Sequence, residues 1–284
     1  MKPIRDKPYF SVALPSSLLE GIPTLRERTF RAGIVGRALA IFRVEEVIIF
    51  RDPLNANPSF SSSLLATLLN YQETPQYLRK MLFPKDPRLR YAGLLPPLRT
   101  PHHPLKGEIT QYREGVIVRR EGDRALVDVG LDEYIRVKGA HWNVGTRVTV
   151  KLFKDGRSGK VVNKNGISIY WGFKVKEVNY GLKELMLNFK NKGYLILATS
   201  KYGSLINKVY EVLKERLKEC ERILLVFGSA KSGLYDMARA EGIDLNSLSD
   251  YVINFVPRQG CKTIRSEEAV VVALSILNFL KYIK

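Results

Sequence analysis

Residues 222–240 read RILLVFGSAKSGLYDMARA: an apolar β-prone run, a small-residue turn between Gly228 and Gly233, and a helix-length segment behind it. A buried strand that ends in a small-residue loop and turns into a helix is the repeating unit of a parallel sheet. The same order recurs on both sides. Upstream, Gly193 to Thr199 (GYLILAT) reads as a strand and Ser204 to Cys220 as a helix. Downstream, Tyr251 to Val256 reads as a strand and Ser266 to Leu280 as a helix, with Ser266 expected at the N-cap and Glu267 and Glu268 set against the dipole. The pattern also holds near the start. Tyr9 to Leu14 is a strand, and Leu25 to Phe42 a helix whose apolar residues Phe30, Ile34, Ala38 and Ile41 share one face. Val47 to Phe50 is a strand, and Ser61 to Tyr71 and Tyr77 to Phe83 are helices.

The middle of the chain breaks this rhythm. A proline-rich connection over residues 93–106 carries His102 and His103. From Tyr112 the periodicity is two, with strands expected at Gly115–Arg119, Arg124–Asp128, Glu133–Val137, Thr146–Val150 and Gly159–Val162. Five such strands in so short a span predict a small closed barrel, either an RNA-contacting OB-like fold or a barrel that only braces the protein. The basic residues Arg113, Arg119, Arg120, Arg124, Arg136, Lys138, Arg147 and Lys151 on its strands favour the first. The expected organisation is one α/β domain in two parts, 1–92 and 171–284, interrupted by the barrel at 93–170.

Composition narrows the function. Lys and Arg number 46 against 28 acidic residues, a net charge of +18 spread along the whole chain. A body positive throughout draws in a polyanion, and a folded RNA is the natural candidate. Cys220 and Cys261 lie far apart, and with three histidines no zinc spacing can be assembled, so no metal is expected. No apolar run is long enough for a membrane span, and the charged Met1–Lys7 does not resemble a signal peptide. A cytoplasmic protein is expected.

In an open parallel sheet ligands gather at the carboxyl ends of the strands. Three of those ends are rich in loop formers: 199–203, 227–233 and 254–265. Gly228 and Gly233 have P-loop spacing, but Leu234 and Tyr235 stand where the phosphate-binding Lys and the Mg²⁺-binding hydroxyl belong. No Gly-x-Gly-x-x-Gly follows a strand either. Neither an NTPase nor a dinucleotide enzyme is expected.

Several segments are similar, in order, to the archaeal and eukaryotic proteins of the knotted SPOUT class assigned as RNA uridine-N3 methyltransferases. They include Ser11–Pro15, Arg28–Phe42, Gln76–Lys80, Ala92–Leu95, Pro101–Pro104, Tyr112–Gly115, Tyr170–Gly172, Thr199–Ser200, Phe227–Gly228, Gly233–Leu234, Gln259–Gly260 and Thr263–Ala269. The resemblance implies a C-terminal trefoil knot and S-adenosyl-L-methionine (SAM) bound by three loops of it. By match these supply Thr199 and Ser200, then Gly228, then Asn254, Val256, Pro257, Gly260, Thr263 and Ile264. It also implies a homodimer, consistent with the apolar Ala269–Leu277 stretch of the last helix, and a substrate uridine in ribosomal RNA.

Methylation at N3 of uridine spreads negative charge onto the flanking carbonyl oxygens, which a guanidinium would stabilise without surrendering its own proton. Arg28, Arg37 and Arg265 are the candidates, with Arg258 beside them. Arg28, Arg37, His102, His103, Arg113 and Arg258 are candidates to hold RNA; the alternatives are that the histidine pair takes a proton or only fixes the orientation of the insert, and that Arg28 and Arg37 pair with local carboxylates such as Glu27. Cys261 is expected to be a buried structural thiol, since transfer to N3 needs no covalent adduct. Two other readings stay open: transfer to another base nitrogen or a ribose hydroxyl, and a non-catalytic RNA-binding or assembly factor.

Overall fold

The structure is a computed structural model that describes residues 3–105, 107–108, 110–139 and 141–283. The chain divides into two compact units, one of Asp6–Asn70, Tyr91–Pro96 and Phe173–Lys284, the other of Met1–Arg5, Tyr71–Arg90 and Pro97–Gly172. Along the chain the elements are β1 (Tyr9–Pro15), α1 (Leu25–Ile41), β2 (Glu46–Phe50), α2 (Pro58–Glu73) and α3 (Gln76–Leu82). Then come β3 (Tyr112–Glu121), β4 (Arg124–Asp128), β5 (Ile135–Lys138), β6 (Arg147–Leu152) and β7 (Ser158–Val162). The last part holds β8 (Lys174–Glu177), α4 (Leu182–Lys190), β9 (Leu195–Leu205), α5 (Ile206–Glu219), β10 (Arg222–Val226), α6 (Leu234–Ala240), α7 (Leu245–Leu248), β11 (Tyr251–Asn254) and α8 (Ser266–Tyr282).

The larger unit is an α/β layer structure around a six-stranded, wholly parallel sheet in the order β11-β9-β10-β1-β2-β8. The two central strands read as continuous apolar runs because both of their faces are covered: Val12, Ala13, Leu14, Leu224, Leu225 and Val226 have no exposed surface. Ala13, Ile48, Ile196, Ala198, Leu224 and Val226 pack against Leu182, Leu185, Met186 and Phe189 of α4, Leu234 and Met237 of α6, and Leu245 of α7. α8 packs against α1 and α5.

α1 begins with a capping box. Glu27 N–H donates to Thr24 Oγ1 at 3.2 Å, and Thr24 N–H donates to Glu27 Oε2 at 3.3 Å. The face it buries is not the one its large residues suggest. Thr29, Ala32, Gly33, Val35, Gly36 and Leu39 point inward, while Phe30 and Ile41 are 54% and 55% exposed. The reason is close packing: a Cβ on Gly33 would meet Pro96 Cδ at 2.7 Å, so only the small-residue face can lie against the Leu95–Pro96 segment. α8 also corrects its expected start. Arg265 is the N-cap, its backbone N–H donating to Glu268 Oε2 at 2.9 Å, and Ser266 is the first helical residue.

The other unit contains a closed barrel in the order β3-β4-β5-β7-β6, shut by the parallel pairing of Arg136 with Ser158 and Val137 with Gly159. Its interior is filled by Ile117, Ala125, Val127, Val129, Ile135, Val137, Val148 and Val150, the inward half of each alternating strand. Among the described residues, no helix is long and apolar enough to cross a membrane.

Candidate functional site

The β9–β11 ladder carries a break that shapes the site. Val252 pairs with Ala198, but the next residue, Ile253, pairs with Ser204, so residues 199–203 leave the sheet as an excursion. Gly203 makes the return possible, since a Cβ there would stand 2.5 Å from the carbonyl oxygen of Val252. At the end of β10 the chain makes a second tight loop. Ser229 N–H donates to Ser232 O at 2.9 Å and Ser232 N–H to Ser229 Oγ at 3.0 Å. Gly228 allows it: a Cβ there would come 3.0 Å from Leu234 N and Ser232 O. The third loop leaves β11 through Asn254, whose Oδ1 accepts Val256 N–H at 2.9 Å. It is braced further along by Gln259, whose Nε2 donates to Cys261 O at 2.7 Å.

Hydrogen bonds tie each loop to the next. Thr199 Oγ1 donates to Val226 O (3.1 Å), Asn254 Nδ2 to Lys201 O (2.9 Å), and Ser266 Oγ to Gly228 O (3.5 Å). Together they enclose a cavity of about 300 Å³. Ile253, Phe227, Leu234, Ala269, Val272 and Ala273 give it apolar walls, and Thr199, Ser200, Asn254, Gln259 and Thr263 supply polar groups. An apolar cleft with a few convergent polar groups is the ordinary form of a small-molecule site.

Seven of the nine expected cofactor residues line this one cavity: Thr199, Ser200, Gly228, Asn254, Val256, Thr263 and Ile264. Pro257 and Gly260 belong to the third loop but do not line the cavity. Arg28, Arg37, Arg258 and Arg265 do not line it either. Arg28 Nε donates to Ile22 O at 2.7 Å, and Arg37 is half-buried on α1. Arg258 is exposed with a backbone φ of 55°, and Arg265 is exposed between the lining residues Ile264 and Ser266. Sequence reading identified the three loops but missed Lys201, Tyr202, Tyr235, Asp236 and Gln259, all of them cavity-lining. Lys201, Tyr202 and Gln259 stand in the legible loops and Tyr235 and Asp236 on the first turn of α6; that they meet at one cavity depends on bonds between loops.

Of the readings of the histidine pair, the geometry fits the one in which it fixes the chain locally. His102 has no exposed surface; its Nδ1 pairs with Thr100 Oγ1 at 3.0 Å and its Nε2 with Glu73 O at 3.0 Å, while His103 Nε2 lies 2.7 Å from the same oxygen. Glu73 is the last residue of α2, so both imidazoles serve a carbonyl that the helix leaves unbonded. Burial, and then the charge of His102, push the His103 imidazole down to about 3. Arg113 is likewise closed to RNA: it is 1% exposed, with Nη2 donating to Leu105 O at 3.2 Å. Arg147 is occupied too, bridging the buried carboxylates of Glu73 and Glu114 at 2.6 Å each. Burial alone would raise the Glu73 carboxyl, but Arg147 and His102 outweigh it and hold it well below the usual carboxylate range. Cys261 is exposed rather than buried, because its loop lies on the surface. Arg119, Arg120, Arg124, Arg136 and Lys138 of the barrel do reach solvent.

A parallel sheet whose strand-end loops close over one cavity defines an α/β protein built around a small-molecule site. The chain belongs to the family described as "Putative RNA methyltransferase", which matches residues 9–277. It is 34% identical to the 28S rRNA (uridine-N(3))-methyltransferase of Homo sapiens over 96% of its own length and 79% of that protein. The enzyme of the same name from Drosophila melanogaster is also 34% identical over 96% of this chain, which spans 63% of the fly protein's length. An uncharacterised protein of Haloarcula marismortui is 31% identical over 94% of this chain and 98% of its own.

Proposed function

We propose that this RNA methyltransferase binds SAM in the three-loop cavity and methylates N3 of a uridine in ribosomal RNA, acting in the cytoplasm. The observation that carries the reading is the convergence of loops 199–203, 227–233 and 254–265 on one cavity of suitable size, tied by cross-loop hydrogen bonds. The names of the human and fly relatives supply the uridine N3 and the rRNA.

The residues present fit the methyl donor. Apolar Ile253, Ile264 and Val272 can take a purine face and a thioether stem, and Thr199, Ser200, Asn254 and Thr263 can meet its hydroxyl, amino and carboxylate groups. When bound, SAM supplies a methyl group activated on sulfonium. The chain's own task is to hold the acceptor in line with that methyl, which is where enclosure by three braced loops contributes most. Arg265, flanked by the lining residues Ile264 and Ser266, is the best placed of the four arginines to steady charge on the uridine carbonyl oxygens. Arg258 shares its loop, and Arg28 and Arg37 on α1 complete the set of candidate RNA contacts.

The SPOUT knot is part of the reading. It is supported by β11 returning beside β9 after the intervening β10, before the chain continues into α8 against α1 and α5. The barrel is read as OB-like and RNA-contacting through its exposed arginines. A homodimer is supported by large apolar residues left exposed on the packed helices α1 and α8: Phe30 and Ile41 on the first, Val271 and Phe279 on the second.

The test supplies methyl-labelled SAM and an unmethylated large-subunit rRNA transcript, digests the product and identifies the labelled nucleoside by mass. 3-Methyluridine is expected. Label in another base or on a ribose would replace the proposed acceptor, and RNA binding without label or SAM binding would make the chain a non-catalytic factor.

A further inference from the structure

The excursion of residues 199–203 does more than line the cavity. It is held at its tip by Asn254 Nδ2 on Lys201 O and by Tyr202 N–H on Ser200 Oγ at 3.2 Å, and its return is locked at Gly203. This braced backbone leaves Tyr202 74% exposed, the most exposed large apolar or aromatic side chain among the described residues, although it lines the cavity. Lys201 Nζ stands 5.0 Å from the centroid of its ring.

An aromatic ring left open to water at the edge of a cavity offers apolar surface that a ligand can cover. The ring lines the cavity and yet keeps most of its surface open to solvent, so it stands at the cavity's edge and not deep within it. A flat π-face with a lysine beside it matches a nucleobase and the phosphate attached to it. We propose that Tyr202 is a stacking platform for an RNA base at the cavity mouth, with Lys201 meeting the adjoining phosphate. The proposal rests on the reading of the cavity as the methyl-donor site, and it makes Tyr202 a positioning residue for the acceptor.

The experiment uses the full chain as wild type, Tyr202→Ala and Tyr202→Phe. One arm measures the affinity of each for a fluorescein-labelled oligouridylate carrying one 4-thiouridine, with S-adenosylhomocysteine saturating. The other measures S-adenosylhomocysteine affinity by calorimetry. Tyr202→Ala should weaken the oligonucleotide by about 5- to 150-fold, the range base–aromatic stacking supplies, and Tyr202→Phe should stay within about two-fold because the ring is kept. In Tyr202→Ala, S-adenosylhomocysteine affinity should fall less than oligonucleotide affinity, because the ring only edges the donor cavity, and photocrosslinks should map to the peptide containing Tyr202. Equal oligonucleotide binding by Tyr202→Ala, equal weakening by Ala and Phe, or a wild type that does not hold the oligonucleotide overturns the stack alone. A fall in S-adenosylhomocysteine affinity in Tyr202→Ala as large as the fall in oligonucleotide affinity would mean that the ring covers the donor and not a base. A wild type that binds no S-adenosylhomocysteine overturns the donor-site reading itself.

Discussion

Gly203→Ala is the sharpest test of how the sheet shapes the cavity. The added Cβ would lie 2.5 Å from Val252 O, 2.6 Å from Val252 C and 2.8 Å from Ile253 N, all of them backbone atoms of β11. Ordinary contact begins near 3.4 Å, so the two strands must part by about 0.9 Å (3.4 − 2.5) where their register jumps. No side chain can rotate away to absorb this. Overpacking of this kind costs about 1–3 kcal/mol. For a unit of this size that lowers the melting temperature by roughly 2–12 °C, read by circular dichroism. The displaced strand carries Asn254, which braces Lys201 at 2.9 Å, so S-adenosylhomocysteine affinity measured by calorimetry should fall at least about ten-fold, or about 1.4 kcal/mol. Wild-type melting together with wild-type affinity would refute the claim that this close approach sets the cavity.

Other substitutions address the remaining parts. Arg147→Met strands the carboxylates of Glu73 and Glu114, whose side chains are 6% and 5% exposed, and should destabilise the barrel unit by about 3–5 kcal/mol. Trp142 and Trp171, both in that unit, report its denaturant unfolding by fluorescence. As pH falls from about 6.5, the unfolded chain protonates at His103 while the folded one resists until about 3, so stability should drop with acidity. Below about 4.5 Glu73 adds to that loss, since its folded carboxyl is depressed. His103→Gln should flatten the upper part of this tryptophan-detected profile. Arg265→Gln should lower kcat by about 10²-fold in the labelled-SAM assay and leave S-adenosylhomocysteine affinity unchanged. Phe279→Asp, at an exposed apolar position of α8, should shift the mass measured by light scattering from the proposed dimer to monomer.

Much of the architecture was legible because burial writes itself into strand composition. RILLV and VIIF are apolar throughout since both of their faces are covered, and the barrel strands alternate since only one face of each points inward. β8 escaped notice because Lys174–Glu177 is three-quarters charged and sits at the sheet edge, held to β2 by backbone pairing and the Lys176–Glu46 ion pair instead of apolar burial. α1 misled for the opposite reason: its large apolar residues were read as the core face, but glycine and alanine win where backbones approach closely. At the site, loop positions followed from turn-forming residues at strand ends. What did not follow was which charged groups would be consumed internally. His102, Arg113 and Arg147 look like RNA ligands in a basic sequence, and only the burial of Glu73 and Glu114 reveals that the fold itself occupies the His102 and Arg147 side chains.

The most direct measurement is a crystal structure of the full chain with S-adenosylhomocysteine. The ligand should lie against Thr199, Gly228 and Ile264 at once, enclosed by all three loops. Ligand density elsewhere on the chain, or contact with only one of those loops, would contradict the account.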